Sequence, residues 1–224
     1  MKLKYFSHSA FQITTDDNKV ILIDPFLDDN PTSPVKSKEV RADYIILSHA
    51  HGDHIGDTFK IAGPQTTIIC VDELANICAS KGFKAHNMHI GGGHDYDFGR
   101  VKLTIAHHGS KTTDGEYAGE PAGIIITIKN RSIYHTGDTA LFYDMKLIGE
   151  MTKIDYMLLP IGDNYTMGIN DAVKAVELVK PGLAIPMHYN TFPVIKADPE
   201  VFKKKVEEKG YKCRVMKFGE EIEL

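Results

Sequence analysis

SHAHGDHIGD occupies residues 48–57, overlapping the end of YIILS, an apolar run at 44–48. Within it His49, His51, Asp53 and His54 bring four imidazole or carboxylate groups onto one short segment. Donors of these two kinds ligate zinc, iron and manganese. On a single turn beyond a strand end they can diverge to two neighbouring points, and Gly52 lets the chain bend tightly between them. So many titratable groups crowded together are costly without a cation to compensate them. A lone loop histidine is ordinarily solvated; H-x-H-x-D-H directly after a strand reads as a metal site.

Outward from this segment the chain is rich in short apolar runs. KLKYF, VILID (20–24), YIILS (44–48), TIICV (67–71), VKLTIA (101–106), GIIITIK (123–129), SIYHT (132–136), YMLLP (156–160) and LAIPM (183–187) read as strands. They are bounded by Gly, Pro, Asp or Asn, as strands are. Asn130 and Arg131, between two of these runs, predict a tight hairpin. Helices are fewer. Asp72 is a candidate cap for DELANICASK and Asn170 for NDAVKAVELVK, while Asp198-Pro199 opens PEVFKKKVEEK. Apolar positions three or four apart, such as Val173/Val176 and Phe202/Val206, mark the buried helix faces. Strands predominate early and helices late, which suggests sheets packed together under outer helices. DYIILSH (43–49) and DYMLLPI (155–161) echo each other, as two similar halves or chance would produce. No linker-like or low-complexity segment interrupts residues 1–224, so one domain is expected.

The 224 residues are 42% hydrophobic and 25% charged, with a net charge of −4. That balance suits a folded protein with a substantial core and argues against broad binding to nucleic acid or anionic lipid. No apolar run approaches the ~20 residues a membrane span requires, and the amino terminus has no apolar signal-peptide core. Cys70, Cys78 and Cys213 are few and scattered, which fits a reducing cytoplasm rather than a disulfide framework. There is no G-x-S-x-G nucleophile elbow, Walker loop or dinucleotide fingerprint.

The motif His49-Ala50-His51-Gly52-Asp53-His54 resembles the signature of the metallo-β-lactamase superfamily. The resemblance implies an α/β chain folded as a four-layer αββα sandwich with a two-metal site at one edge. It also implies three later ligands, and AHHGS (106–110), HTGDT (135–139) and PMHYNTF (186–192) offer a His, an Asp and a His in that order. More narrowly, HSAF (8–11), LIDPF (22–26), HIGGG (89–93), DFGRVKLT (97–104), LPIGDNYTMG (159–168) and MHYNTF (187–192) are similar to the UPF0173 predicted metal-dependent hydrolases, close to the ascorbate-6-phosphate lactonases. Carried over, His49, His51 and His108 hold one ion, Asp53, His54 and His188 the second, and Asp138 bridges them. His108 is chosen over His107 because His107 fills the variable place of the family pattern. His135 reads as a strand residue.

The resemblance also puts Asp24, at the end of VILID, beneath the metals, where it would orient a ligating imidazole. His8 is a second candidate for that outer position. Asn164, Tyr165, Thr166 and Met167, with Tyr189 and Asn190, are the candidate pocket wall. His86, His89 and His94 read as structural or solvated. Together these readings predict a binuclear metal-dependent hydrolase that directs a metal-bound hydroxide at a small ester, lactone or phosphoester, with Asp53 and Asp138 as its catalytic carboxylates. The alternative is a phosphodiesterase or nuclease of the RNA-processing type. Two divalent ions are expected per chain, zinc first, then manganese or iron. The partner is a small-molecule substrate, not a membrane or nucleic acid, with a homo-oligomer left open and the cytoplasm as location.

Overall fold

The computed structural model describes residues 1–224, which divide into two compact units. The first comprises Met1–Gly92, Gly109–Pro121 and Lys217–Leu224. It holds a seven-stranded sheet in the order β13-β1-β2-β3-β4-β5-β6. Its strands are β1 (Lys2–Ser7), β2 (Ala10–Thr14), β3 (Val20–Ile23), β4 (Tyr44–Ile46), β5 (Thr67–Val71), β6 (Ala85–Met88) and β13 (Glu221–Glu223). Two single-turn helices, α1 (Gly52–Ile55) and α2 (Thr58–Ile61), follow β4, and α3 (Asp72–Ser80) follows β5. The pairs from β3 to β6 are parallel, so each needs a crossover, whereas β13-β1, β1-β2 and β2-β3 are antiparallel.

The second unit comprises Gly93–His108 and Ala122–Met216, with a six-stranded sheet in the order β12-β11-β10-β9-β8-β7. Its strands are β7 (Gly93–Tyr96), β8 (Gly99–Ile105), β9 (Ala122–Ile128), β10 (Arg131–His135), β11 (Tyr156–Pro160) and β12 (Leu183–Met187). Its helices are α4 (Met145–Met151), α5 (Ile169–Val179) and α6 (Pro199–Glu208). Ala172, Val173, Ala175 and Val176 of α5 and Phe202 and Val206 of α6 meet Met157, Leu159 and Ala184 of the sheet in one apolar core. The sequence periodicity marks Val173, Val176, Phe202 and Val206 among these as buried. No helix is long and apolar enough to cross a membrane.

The echo between residues 43–49 and 155–161 is a shared local device. Asp43 N–H donates to Val20 carbonyl while its carboxylate takes Val20 N–H. Asp155 does the same with Ser132. Each aspartate thereby pins the start of a buried parallel strand, β4 or β11, to its neighbour.

Several local expectations shift by a residue or two. The β9-β10 hairpin pairs Ile128 with Arg131, so Lys129 and Asn130 form the turn rather than Asn130 and Arg131. Lys129 takes the left-handed conformation there (φ 53°). Asp72 is the first residue of α3 and not its cap, and α5 begins after Gly168, with Asn170 inside it. Asp198 caps α6 as expected, accepting Glu200 N–H at 2.9 Å.

Candidate metal centre

In each unit the singled-out residues gather beyond strand ends. In the first, β1, β3 and β4 run the same way, and His8, Asp24 and the His49–His54 turn follow them on one sheet edge. In the second, β8, β10 and β12 are likewise co-directed and are followed by His108, Asp138 and His188. Carboxyl ends of parallel strands are where open α/β sheets place ligands. His8, Asp24 and His188 each end their strand in the left-handed region (φ 56°, 45° and 53°), and Asn164 and Asn190 are left-handed too. Non-glycine residues persist there at a cost of about 1–3 kcal/mol, commonly at functional sites.

The motif itself forms a loop and a one-turn helix. His51 occupies the cap position of α1, with Asp53 and His54 in its single turn. Behind it lies a chain of buried hydrogen bonds. Asp24 accepts Ser48 N–H (2.8 Å), Ser48 O–H (2.6 Å) and His54 Nδ1–H (2.7 Å). The Ser48 hydroxyl, having donated to Asp24, accepts from His49 Nδ1 at 2.9 Å. Both rings thus carry their proton on Nδ1, which leaves Nε2 as the basic, metal-directed nitrogen. His49 Nε2 lies 2.9 Å from His51 Nδ1. Two nitrogens on one tetrahedral zinc ion sit ~3.4 Å apart, so the pair is within a small adjustment of chelating geometry. His8 Nε2 lies 3.1 Å from Asp53 Oδ2. His8, Asp53 and His54 each offer a ligand atom within 4.8 Å of the others. The donor set, imidazole nitrogens and carboxylate oxygens with their outer faces already held, fits a divalent ion.

In the second unit a single carboxylate oxygen, Asp138 Oδ2, lies 3.0 Å from His188 Nε2 and 3.7 Å from His108 Nε2. The adjacent histidines separate: His108 faces Asp138, while His107 packs edge-on against Phe142 with ring centroids 5.0 Å apart. Thr139 Oγ accepts His107 N–H, and Ala140 N–H donates to His107 carbonyl, which fastens the 107–108 segment beside the Asp138 turn. His135 is a buried strand end whose Nδ1 accepts Gly137 N–H, bracing that same turn.

The candidate pocket wall divides. Met167 and Tyr189 belong to the apolar core of the second unit, and burial pushes the Tyr189 phenol up to about 12. Asn164, Tyr165, Thr166 and Asn190 remain at least partly accessible. Asn190 shapes its own turn, accepting Ala197 N–H and donating its backbone N–H to Ile195. An open cavity of about 960 Å³ begins at Asn190 and runs along Thr191, Phe192 and Lys196. His86 lies on β6 and His94 on β7, neither among the metal-site groups.

The sequence reading gave no role to Ser48, Thr139 or Asp57. Ser48 and Asp57 lie inside the quoted motif, where its more conspicuous histidines and Asp53 drew the reading.

The Beta-lactamase superfamily domain matches residues 19–189, which makes the chain a member of that superfamily with its mixed α/β fold of two sheets and helices. A UPF0173 metal-dependent hydrolase from Bacillus cereus (strain ATCC 10987 / NRS 248) is 50% identical, each chain covered in full. A second from Bacillus thuringiensis subsp. konkukian (strain 97-27) is 50% identical over the same span. The chain belongs to the UPF0173 family of metal-dependent hydrolases. A solved metallo hydrolase from the archaeon Ignicoccus hospitalis is 39% identical, with a TM-score of 0.89 over 100% of this chain and 98% of that one. The isothiocyanate hydrolase from Delia radicum gut bacteria shares the fold (TM-score 0.81, 100% and 99% covered) at 21% identity.

Proposed function

We propose that the chain is a binuclear metal-dependent hydrolase of a small ester, lactone or phosphoester. In this reading His49, His51 and His108 hold one divalent ion, and Asp53, His54 and His188 the other. Asp138 bridges the two. The observation that carries the reading is the H-x-H-x-D-H turn with a buried carboxylate and hydroxyl fixing its imidazoles from behind. Membership of a metal-dependent hydrolase family supports it, and so does the approach of Asp138 Oδ2 to two histidines. A bound pair of divalent ions, zinc first among the candidates and manganese or iron next, supplies Lewis acidity and lowers the pKa of water toward ~7.

The side chains then have distinct work. Asp24 and Ser48 keep the Nδ1 protons of His54 and His49 in place. His8 holds one oxygen of Asp53, which leaves the other to orient the attacking water or accept its proton. Asn164, Tyr165, Thr166 and Asn190 are polar groups suited to a compact substrate. A net charge of −4 and the lack of a basic arm disfavour a long polyanion. Three free, buried thiols suit a reducing cytoplasm.

The test is a panel of lactones, carboxylic esters and phosphodiesters offered to the metal-loaded and the chelator-treated protein. Hydrolysis of a small substrate that stops on chelation and returns with a divalent ion is the expected result. Undiminished turnover by the metal-free protein overturns the reading, and processive cleavage of RNA replaces it with the nuclease alternative.

A further inference from the structure

Asp57 is a buried carboxylate, and none of the groups proposed to touch metal or substrate contacts it in the structure's hydrogen bonds. It stands three residues after His54, on the far side of Gly56. Its Oδ2 accepts two successive backbone N–H groups, from Leu27 at 2.9 Å and Asp28 at 2.7 Å. Its own N–H donates to Pro25 carbonyl at 2.9 Å. Lys60 Nζ bonds both Asp57 Oδ1 (2.6 Å) and Asp28 Oδ2 (2.8 Å), closing the arrangement from outside. Gly56 presses on the same strip of chain. A Cβ there would come within 2.5 Å of Pro25 carbonyl oxygen and 2.6 Å of Phe26 Cα, and its φ of 47° suits glycine. Residues 56–57 thus hold residues 25–28 by three hydrogen bonds and the close backbone approach at Gly56, immediately after Asp24.

Asp24 needs such a grip. It is left-handed at φ 45°, a conformation that costs an L-residue energy, and its carboxylate must meet three donors at once. A shift of the 25–28 segment would move Asp24 away from His54 and Ser48.

We propose that Asp57 is a positioning residue for the metal centre. It anchors the chain beyond Asp24 to the motif turn, so that the carboxylate orienting His54 is held by the turn that carries His54. The loop is closed: turn, Asp57, Pro25–Asp28, Asp24, His54, turn. The role requires a hydrogen-bond acceptor at residue 57, not its charge. It rests on the metal-site reading above, since the consequence is read as metal binding.

The experiment compares zinc affinity, by competition with a chromophoric chelator, in Asp57→Ala, Asp57→Asn, Asp24→Ala and the Asp24→Ala/Asp57→Ala double variant. Amide exchange of Ser48 is followed in the metal-free proteins. Asp57→Ala is expected to weaken zinc binding about 10–100-fold, the usual effect of removing an outer-shell support. Asp57→Asn keeps an acceptor for Leu27 and Asp28 and is expected to bind as the parent does. The double variant is expected to bind no more weakly than Asp24→Ala alone, because both changes break one chain of contacts. Ser48 exchange should speed up in Asp57→Ala and not in Asp57→Asn. Parent-like affinity and exchange in Asp57→Ala overturn the proposal, as do additive losses in the double variant or an Asn variant as impaired as Ala. If Asp57→Ala does not fold, Gly56→Ala serves instead: it displaces Pro25 and Phe26 while keeping the carboxylate, and parent-like zinc affinity there overturns the proposal. A parent protein that binds no zinc defeats the metal-site reading, while the Ser48 exchange comparison still decides the anchoring.

Discussion

Replacing Asp24 by Asn changes one atom of the buried network and separates folding from metal binding. The carboxylate offers only acceptors, and it faces two donors that cannot turn away: Ser48 N–H and His54 Nδ1–H. The third donor, the Ser48 hydroxyl, can rotate. An asparagine must point its NH2 at one of the two fixed donors whichever way its amide is flipped. Facing Ser48 N–H leaves two buried N–H groups opposed, with no relief. Facing His54 is relieved if the imidazole moves its proton to Nε2 and accepts through Nδ1. The second orientation is therefore expected, at a folding cost of about 1–3 kcal/mol for one poorly satisfied buried group. Metal binding should weaken by a similar amount, because the nitrogen proposed to face the ion now carries the proton. Zinc affinity should fall about 10–100-fold. Asp24→Ala leaves both fixed donors without their acceptor and should cost about 2–6 kcal/mol of stability. Thermal unfolding of the metal-free proteins, zinc titration and ¹⁵N correlation spectra of the His54 ring measure the three quantities. An Asp24→Asn protein that keeps its His54 proton on Nδ1 and binds zinc as the parent does would refute the reasoning.

Three other outcomes are expected. His108→Ala should lose metal while His107→Ala, whose ring rests on Phe142, keeps the parent's content by elemental analysis. His188→Ala should retain about one ion per chain on three histidines, whereas Asp138→Ala, losing the carboxylate proposed to bridge the ions, should retain less under the same dialysis. Burial pushes the Tyr134 phenol up to about 12, and Tyr189 likewise. Because each folded value lies above the unfolded one, their contribution is intact below about pH 10 and is lost as pH rises through 12, up to about 3 kcal/mol per group. Tyr134→Phe with Tyr189→Phe should flatten the decline in stability measured by denaturant titration across that range.

Much of this was legible in the sequence. Short apolar runs rich in β-branched residues, such as TIICV and GIIITIK, read as buried strands, and β5 and β9 lie within a residue of them. The strands that escaped notice carry weak apolar signals. GHDY of β7 is polar and exposed at a sheet edge, AHNM of β6 ends the other sheet, and EIE of β13 has three residues. AFQIT of β2 was hidden because His8, two residues earlier, turns the chain through a left-handed conformation that side-chain patterning does not encode. Helix α4 was missed for a related reason. Gly149 reads as a helix breaker, yet a Cβ there would lie 2.2 Å from Val179 carbonyl oxygen, so glycine is what lets the chain pass the end of α5. At the site, the motif's spacing singles out His49, His51, Asp53 and His54, and the family resemblance adds the later candidate ligands with Asp24 and His8 behind them, but neither points to Ser48 or Asp57. The Ser48 hydroxyl donates to the Asp24 carboxylate, and the Asp57 carboxylate accepts Leu27 and Asp28 N–H; these contacts join segments distant in the chain and exist only once β3 and β4 are paired. Met167 and Tyr189 looked like pocket lining because they sit among polar neighbours, but their side chains turn into the core.

The central claim is that this chain holds two ions on seven named side chains. A crystal structure of the zinc-loaded protein, with anomalous scattering recorded at the zinc edge, tests it most directly. The account predicts two peaks ~3.5–4 Å apart. One should lie ~2.0–2.2 Å from nitrogens of His49, His51 and His108, and the other at that distance from Asp53, His54 and His188, with Asp138 touching both. A single peak, or zinc bound away from these residues, would contradict it.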